Sequence, residues 1–391
     1  MVQAADAPSL LLVESHIDPL QERALLFAAP ERIVACREAS QVPRCLAALD
    51  EAVRAGAYVA GFLAYEAGYG LDPKLAALNK PLLTEHLLWF GIFSEPQRLG
   101  GAEFARLLAA DSGSASASLS SLQFDLDRSG YLRDFQRIQE HLRAGDSYQV
   151  CHSLRARATL RGSPAALFAR LRARQRTAYS ALIRTGDYAI LSLSPELFFR
   201  KKAGKILLEP MKGTLRAAPS ETENAALAES MRRDEKTRAE NVMIVDLLRN
   251  DVGRLALPGS VQVPELFKVE RFDAVLQMTS RISAEIEPRL GLAELMPALF
   301  PSGSVTGAPK LRTMEIIAEL ERSPRGIFCG SIGYVAPSGD ACFNVAIRSL
   351  CVERGGRAVL GVGSGVVLDS TSDAEYDECL LKARFVADNA G

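Results

Sequence analysis

The sequence lacks the residue patterns that hold transition metals or form disulfide frameworks. It contains only four histidines, none at ligand spacing from another, which argues against a histidine-rich metal site. The seven cysteines are an odd number, lie far apart and form no CxxC pair, which argues against a disulfide framework and against a zinc site. The composition therefore fits a reducing cytoplasm, and any bound metal is expected to be a hard ion held by carboxylates.

A strong net charge and long apolar runs are also missing. The 46 Lys and Arg residues nearly balance the 47 Asp and Glu residues, and a net charge of -1 gives no overall field that would attract nucleic acid or an anionic membrane. The first apolar run is too short for the core of a signal peptide, and no later run approaches the length of a membrane span. We therefore expect no nucleic-acid binding, export or membrane insertion.

The composition that remains is that of an ordinary globular protein, with 48% apolar and 24% charged residues. One low-complexity segment, residues 111–121, has too few apolar residues to pack and predicts a flexible linker. It divides the chain into an N-terminal subdomain, residues 1–110, and a larger domain, residues 122–391.

Apolar periodicity predicts both helices and strands. Helical spacing is found over residues 44–56, 131–145 and 164–174, whereas residues 188–200 are typical of a strand. After Ser331 the pattern predicts a meander of strands joined by tight turns. Helices mixed with antiparallel strands predict an α+β fold rather than a doubly wound parallel sheet.

Lys212 lies in an unusual local sequence, ILLEPMKGTLR. It follows an apolar strand and stands between Pro210 and Gly213, where the backbone is expected to turn. A surface turn with a solvated lysine explains this pattern. The alternative is a lysine held at the rim of a pocket as a nucleophile or a cation. The residues alone leave both interpretations open.

Arg348 ends a strand pattern, ACFNVAIRSL, in which alternate residues fall on an apolar and a polar face. Gly363 and Gly365 recur with a period of two on a neighbouring strand, which lets a ligand approach the backbone N–H groups. An arginine facing glycines suits a bound carboxylate. The alternative is an edge-strand arginine in solvent.

Glu240 lies on a helix predicted over about residues 221–248, whose apolar residues surround the axis almost completely. Such a helix should be buried, and an unpaired carboxylate on its inward face would be costly. Either a basic partner such as Arg238 or Arg249, or a metal, would compensate that charge.

A second set of carboxylates lies on a predicted helix near the C-terminus. Glu375, Glu378 and Lys382 share one face, and on spacing alone a solvent-exposed pair of Glu378 with Lys382 explains them. The loop FPSGSVTGAPK opens another helix at about Pro309, where free N–H groups suit an anion. It lacks the spacing of a Walker A loop, so ATP binding is not expected.

The chain resembles the chorismate-utilising enzymes in eight segments that occur in the family's order: SLSPELFF, EPMKGTLR, RAENVMIVDLLRNDVGR, FPSGSVTGAPK, CGSIGYV, IRSL, GSGVV and AEYDECLLKA. The resemblance covers nearly all of residues 131–386, and the front part is similar to that family's N-terminal region. It implies an antiparallel β-sandwich flanked by helices, with the active site in the cleft between them.

The same resemblance implies a magnesium ion and a set of substrate contacts. Magnesium would be held by Glu240 and Glu378, with Glu375 as a possible water-mediated ligand. It would neutralise the ring carboxylate of chorismate, while other residues bind the substrate. The implied substrate-binding residues are Gly213, Thr214, Thr306, Phe328, Arg348, Gly363 and Gly365.

Within the family, Lys212 decides the implied reaction. Aminodeoxychorismate synthases have a lysine at this position that is thought to attack the ring, whereas anthranilate synthases have a small residue. Glu196 matches the general acid that protonates the departing hydroxyl. The implied product is 4-amino-4-deoxychorismate, for 4-aminobenzoate and folate synthesis, with anthranilate synthase component I activity as the alternative. Water-adding relatives have a lysine where this chain has Gln149.

The resemblance also implies protein partners and leaves two departures. A separate glutamine amidotransferase subunit would supply ammonia, and an aminodeoxychorismate lyase would act on the product. Cys151 and His152 replace an asparagine and an apolar residue of the relatives, which could alter specificity. The segment LLVES resembles the tryptophan-binding segment of anthranilate synthases, so Ser15 is a candidate for an aromatic amino acid site.

Overall fold

The computed structural model describes residues 7–14, 23–78, 82, 85–112, 117–272 and 275–387. The α-helices of these ranges are α1 (Val42–Arg54), α2 (Gly101–Ser112), α3 (Arg128–Arg143), α4 (Pro164–Arg174), α5 (Glu221–Arg233), α6 (Glu235–Gly253), α7 (Leu292–Leu299), α8 (Lys310–Leu320) and α9 (Ser372–Ala387). Short 3-10 helices cover Ala39–Gln41, Tyr65–Gly70, Pro73–Leu78 and Gly303–Val305.

The strands of the same ranges are β1 (Ser9–Glu14), β2 (Arg23–Ala28), β3 (Arg32–Cys36), β4 (Tyr58–Leu63), β5 (Leu88–Phe93), β6 (Gln97–Gly100), β7 (Ser118–Leu119), β8 (Gln123–Phe124), β9 (Gln149–Arg161), β10 (Tyr179–Arg184), β11 (Tyr188–Ser194), β12 (Leu197–Lys202), β13 (Lys205–Glu209), β14 (Met211–Arg216), β15 (Gln262–Phe272), β16 (Val275–Glu285), β17 (Gly307–Ala308), β18 (Gly330–Val335), β19 (Ala341–Ala346), β20 (Ser349–Glu353) and β21 (Arg357–Val366).

These strands form two sheets. Sheet I has the order β17-β9-β21-β20-β11-β10-β1-β2-β6, with β7 and β8 also paired to β9. Sheet II has the order β14-β16-β13-β12-β19-β18-β4-β5-β3, with β15 also paired to β16. The pairings between neighbouring strands are antiparallel, for example β21 with β9 and β18 with β19. The predicted α+β class with antiparallel sheets is confirmed.

An apolar core joins the two sheets face to face. Leu10 and Phe27 of sheet I belong to the same buried cluster as Phe62 and Trp89 of sheet II. Each fully buried side chain of this size contributes roughly 1.5–3 kcal/mol to folding. A larger cluster packs the helices against the outer faces and around the sheet edges. The molecule is therefore a sandwich flanked by helices.

The predicted N-terminal subdomain contributes strands to both sheets. β1 pairs with β10, and β4 pairs with β18. The predicted linker begins within the last turn of α2 and ends after β7, which pairs with β9; its residues 113–116 lie outside the described residues. Each sheet therefore contains strands from before and from after the predicted linker.

The chain changes sheet at two places where the sequence pattern predicted one continuous strand. Residues 188–200 are two strands, because β11 belongs to sheet I and β12 to sheet II. The meander predicted after Ser331 is likewise interrupted, because β19 lies in sheet II and β20 in sheet I. The prediction was wrong at these points because both flanks of each crossover are apolar and alternate, so the periodicity shows no break.

The single helix predicted over 221–248 is two helices, α5 and α6. Asp234 has an extended backbone, and its carboxylate accepts a hydrogen bond from the backbone N–H of Thr237, as an N-cap does. α6 is also not apolar all round, because Val242 is exposed while Ile244 and Leu248 are buried. Its buried face carries the polar Asn241, whose Oδ1 accepts from Ser280.

The structure also bears on the cysteines and on the length of the helices. All seven cysteines are free, as expected from their spacing. In the part of the chain that the structure describes, no helix is both long enough and apolar enough to span a membrane.

Candidate active site

The two crossovers between the sheets lie side by side and place Glu196 and Arg348 at the same corner. The backbone N–H of Val345 donates to the carbonyl of Glu196 at 3.1 Å, and that of Leu193 donates to the carbonyl of Arg348 at 3.0 Å. Ser194 Oγ also donates to the carbonyl of Val345 at 2.6 Å. The hydrogen bonds fix the two corners to each other.

Lys212 lies within a strand rather than in a turn, which corrects the expectation from the sequence. β14 pairs with β16 on both sides of a register shift between Met211 and Thr214. Gly213 stands in this bulge with φ +85°, a left-handed conformation that favours glycine. A Cβ on Gly213 would lie 2.5 Å from Cγ2 of Thr237. The bulge turns Lys212 toward sheet I.

The amine of Lys212 meets the polar face of sheet I. Its Nζ donates to Oε1 of Gln149, on β9, at 3.2 Å. A Cβ on Gly365, on the neighbouring β21, would lie 3.2 Å from that Nζ and 3.2 Å from Cδ of Gln149. Gly365 therefore makes room for this contact. Nε2 of Gln149 is buried and has no hydrogen-bond partner among the described residues, so one donor still faces the site.

Glu196 is a buried carboxyl group next to this lysine. It is 5% exposed, and burial raises its pKa to about 7. A hydrogen bond from Ser304 Oγ at 2.6 Å and the charges of Lys212 and Lys382 act in the opposite direction. A carboxyl group with a pKa near 7 can hold a proton at neutral pH and transfer it, as a general acid requires.

Arg348 brings an uncompensated positive charge to the corner. Its backbone has φ 51°, which corrects the prediction that it continues the alternation of β19. Burial lowers the pKa of its guanidinium, and among the described residues no carboxylate or other group pairs with it. An arginine held in this way is suited to bind an anion from solution.

The other predicted substrate contacts lie at different depths. Gly363 is opposite Ser153 of β9, and its carbonyl accepts from Nζ of Lys382 at 2.8 Å. Thr214 is exposed, and Thr306 is buried with its hydroxyl donating to the carbonyl of Ser302 at 3.1 Å. The structure gives neither threonine a contact with Lys212.

Phe328 is buried at some distance along sheet I. A Cβ on Gly361 would lie 2.2 Å from its ring, and the guanidinium of Arg155 lies 5.4 Å from the ring centre. Gly361 is four residues from Gly365, about 13 Å along an extended strand. The structure therefore places Phe328 away from the amine of Lys212.

The predicted metal ligands face one another across α6 and α9. Burial raises the pKa of Glu240, whose side chain is 23% exposed, and the charges of Glu375 and Glu378 raise it further. The basic groups that oppose this effect are Lys212 and Lys236, not the Arg238 or Arg249 expected from the sequence. Arg238 instead lies over the ring of Phe267, and Arg249 pairs with Asp246.

Each of these carboxylates has another partner in the structure. Glu378 forms the predicted pair with Lys382 at 2.6 Å, and Glu375 accepts from Ser370 Oγ at 2.7 Å. Within the described ranges, no three Asp, Glu, His or Cys side chains are close enough to hold a metal. The donors have the oxygen chemistry that a hard cation needs, but they are not gathered around one point.

Sequence reasoning missed Arg325 and Glu321, which connect the segments that carry the candidate site residues. Arg325 donates to the carbonyls of Val305 and Cys151, each at 2.7 Å, and to both carboxylate oxygens of Glu321. It thereby ties the loop that carries Ser304 and Thr306 to strand β9. Two of its partners are backbone carbonyls, which leave no signal in the periodicity of the sequence.

The two departures from the family pattern, Cys151 and His152, point in different directions. Cys151 lies opposite Gly365 in the pairing of β9 with β21. His152 is buried near the ring of Tyr131, with Nε2 3.5 Å from Oδ2 of Asp134 on α3. Cys151 is thus the one beside the site.

A separate cavity of about 140 Å³ lies between the sheets beyond the crossovers. Glu14, Arg23 and Tyr179 are among its lining residues. Ser15, the candidate for an aromatic amino acid site, lies outside the described residues, so that prediction stays a prediction.

Comparison with known proteins assigns the chain to a family. A family model described as "chorismate binding enzyme" matches residues 18–388. The chain belongs to the chorismate binding enzymes, which confirms the resemblance seen in its motifs.

Individual relatives and one solved structure agree with this assignment. The chain is 44% identical over 258 residues to aminodeoxychorismate synthase component 1 of Klebsiella aerogenes, a match that covers 66% of this chain and 57% of that protein. It is 38% identical over 262 residues to anthranilate synthase component 1 of Thermus thermophilus, covering 67% and 56%. The match thus spans less than three fifths of the length of these relatives.

The crystal structure of anthranilate synthase component I from Streptococcus pneumoniae is similar to the whole chain. The TM-score is 0.76 at 25% identity, and the match covers 99% of this chain and 93% of that one. The sandwich implied by the sequence motifs is therefore the fold of the family.

Proposed function

We propose that this chain converts chorismate and ammonia to 4-amino-4-deoxychorismate. This is the reaction for which its relative aminodeoxychorismate synthase component 1 is named. The observation that carries the proposal is the position of Lys212, whose amine faces Gln149 and Gly365 beside the buried acid Glu196. A free amine next to a protonatable carboxyl group suits nucleophilic displacement of a hydroxyl.

The residues divide the chemistry between them. The amine of Lys212 forms a bond to the ring carbon beside the carboxylate-bearing carbon, both conjugated ring double bonds shift toward carbon 4, and the 4-hydroxyl leaves. Glu196 gives its proton to that oxygen, which departs as water. Ammonia then bonds to carbon 4, both double bonds shift back, and the bond between Lys212 and the ring breaks. Arg348 and the backbone at Gly363 and Gly365 bind the pyruvyl carboxylate throughout.

Magnesium is the cofactor that we propose, held by Glu240 and Glu378, with Glu375 as a water-mediated ligand. Support comes from their oxygen donors and from the pKa of Glu240, which burial raises and to which the charges of Glu375 and Glu378 on α9 add. When bound, a divalent cation would neutralise the ring carboxylate of the substrate. The chain's own part is to bring α6 and α9 to the same side of the cleft.

The proposed function also implies partners and a compartment. Ammonia would come from a glutamine amidotransferase subunit, and an aminodeoxychorismate lyase would convert the product to 4-aminobenzoate for folate synthesis. The free cysteines fit a reducing cytoplasm, which we propose as the location.

Incubation of the purified chain with chorismate, magnesium and ammonium, followed by mass spectrometry, tests this function. We expect 4-amino-4-deoxychorismate, which an added lyase converts to 4-aminobenzoate. Anthranilate with pyruvate would instead support the alternative, anthranilate synthase component I, to which the Streptococcus pneumoniae structure is similar. Lys212→Ala should remove the amination, whereas Lys205→Ala, at an exposed lysine of β13, should not.

A further inference from the structure

The carboxyl group of Glu196 is held through only one of its oxygens. Oε1 accepts the hydrogen bond from Ser304 Oγ at 2.6 Å. Oε2 makes no hydrogen bond to any described residue, so it is the oxygen left free to carry a proton toward a ligand. A carboxyl group without a fixed oxygen would rotate about its terminal torsion, which has broad minima.

Ser304 is itself fixed by a short turn. Ser302 caps the 3-10 helix Gly303–Val305, and the Ser304 backbone N–H donates to Ser302 Oγ at 3.4 Å. The two hydroxyl oxygens are 2.9 Å apart. Because the single proton of the Ser304 hydroxyl is given to Glu196, Ser302 must be the donor between them. A hydroxyl that accepts one hydrogen bond is a stronger donor in the next.

Packing leaves this turn little freedom. A Cβ on Gly303 would lie 2.4 Å from Cδ2 of Leu247 on α6, so the backbone is pressed against that helix. On the other side of Ser304, the carbonyl of Val305 accepts a hydrogen bond from Arg325. The turn is therefore anchored on both sides of Ser304.

We propose that Ser304 is a positioning residue that fixes the carboxyl group of Glu196 with Oε2 toward the substrate, and that Ser302 in turn orients the Ser304 hydroxyl. This inference rests on the proposed function, in which Glu196 protonates the leaving hydroxyl. Other charges that face Glu196 are Lys212 from β14 and Lys382 from α9. Neither amine makes a hydrogen bond to its carboxyl group, so Ser304 alone sets its direction among the described residues.

The sign of the effect on protonation follows from the donor role of Ser304. Its hydrogen bond stabilises the ionised carboxylate and opposes the effect of burial, which raises the pKa of Glu196 to about 7. Ser304→Ala should raise that pKa further, and Ser304→Thr should leave it unchanged because the hydroxyl remains. The larger protonated fraction at pH 7 can increase the rate at most about twofold, so lost orientation should dominate.

The test combines an infrared titration with kinetics. The carboxyl band of Glu196, assigned by its loss in Glu196→Gln, is titrated in wild type, Ser304→Ala, Ser304→Thr and Ser302→Ala. We expect the midpoint to rise by about one pH unit in Ser304→Ala, to rise less in Ser302→Ala and to stay in place in Ser304→Thr. In Ser304→Ala, kcat should fall about tenfold with little change in KM.

Ser338→Ala, at an exposed turn serine, is the matched control and should change neither quantity. An unchanged midpoint and an unchanged kcat in Ser304→Ala would overturn the positioning role. An unchanged midpoint in Ser302→Ala would overturn the part assigned to Ser302. If the wild-type chain forms no aminated product, the proposed function fails, whereas the infrared midpoints still decide whether Ser304 holds Glu196.

Discussion

Glu196 and Glu321 are equally buried, at 5% exposure each, yet their acidities move in opposite directions. Burial raises the pKa of Glu196 to about 7, with the hydrogen bond from Ser304 and the charges of Lys212 and Lys382 opposing it. Burial acts on Glu321 in the same sense, but Arg325 and Arg155 outweigh it and lower its pKa to about 2. Burial alone therefore does not identify a functional carboxylate, and its charged neighbours decide the outcome.

The two arginines of these regions differ in the same way. Arg325 is surrounded by a carboxylate, two carbonyls and the ring of Tyr65, whereas Arg348 is partly buried without such partners among the described residues. A satisfied network stabilises the fold, and an unsatisfied one leaves capacity for a ligand. The difference separates the network around Glu321 from the candidate active site.

Substituting Glu196 should give the largest effect. Glu196→Gln keeps an acceptor for Ser304 but removes the proton, so kcat for the proposed amination should fall by about 10²–10⁴. The free energy of unfolding at neutral pH should not decrease. Steady-state kinetics and urea denaturation measure the two quantities. The control is Glu285→Gln, at an exposed position of β16; equal activity of the two variants would contradict the acid role.

Arg325→Met should have the opposite profile. It removes the arginine that donates to both carboxylate oxygens of the buried Glu321, which keeps Arg155 and Ser153 among its partners, and should lower the free energy of unfolding by about 3–5 kcal/mol. Urea denaturation followed by circular dichroism measures this loss. Arg322→Met, at an exposed position three residues earlier, should cost almost nothing. A similar stability of both variants would show that the network around Glu321 is not structural.

The pH dependence of stability distinguishes the two glutamates directly. Because the folded pKa of Glu196 is raised, the folded state binds its proton more tightly, and stability falls as pH rises from about 4.5 to about 7. The difference of about 2.5 pH units corresponds to about 3 kcal/mol. Glu321 has the reverse sign, so its contribution is lost as pH falls from about 4.5 to about 2.

Glu196→Gln isolates the first effect. Glu66 shifts in the same direction as Glu196 and remains present in both proteins, so the difference between wild type and variant belongs to Glu196. Chemical denaturation at several pH values between 4.5 and 7 measures it. Parallel curves for the two proteins would contradict the raised pKa.

The smallest change in stability is expected for Arg348→Met. Removing a partly buried charge that has no partner among the described residues should change the free energy of unfolding by no more than about 1 kcal/mol, in contrast to Arg325→Met. The KM for chorismate should rise about tenfold or more, because a charge-assisted hydrogen bond to a carboxylate is lost. A loss of stability as large as that of Arg325→Met would show that Arg348 has a structural partner.

The sequence was sufficient for the fold class, and its motifs for the family. Lys212 and Glu196 could be named as candidates from the sequence because each lies in a motif with recognisable neighbours. The helix break at Asp234 was not found, because aspartate is tolerated within helices and its capping role depends on backbone angles. Periodicity likewise cannot show a change of sheet at Glu196 or Arg348.

Contacts between segments that are distant in the chain could not be predicted from the sequence for a different reason. Ser304 meets Glu196 only because the loop after α7 folds over the corner between β11 and β12. Nothing in the spacing of two residues so far apart fixes their distance. Arg325 was missed because its partners are mainly backbone carbonyls, which every residue carries.

The pairing of β4 with β18 has a consequence for how the protein is made. Phe62 faces Ile332 across that pairing. β4 is synthesised early and can pair only after β18 has been synthesised near the end of the chain. At a synthesis rate of roughly 5–20 residues per second, this delay is on the order of 15–50 s. Throughout it β4 and β5 have only each other and β3 as partners in their sheet, with apolar faces uncovered. The nascent chain should therefore depend on chaperones or on slow late docking, and the corner that carries Arg348 forms only after that.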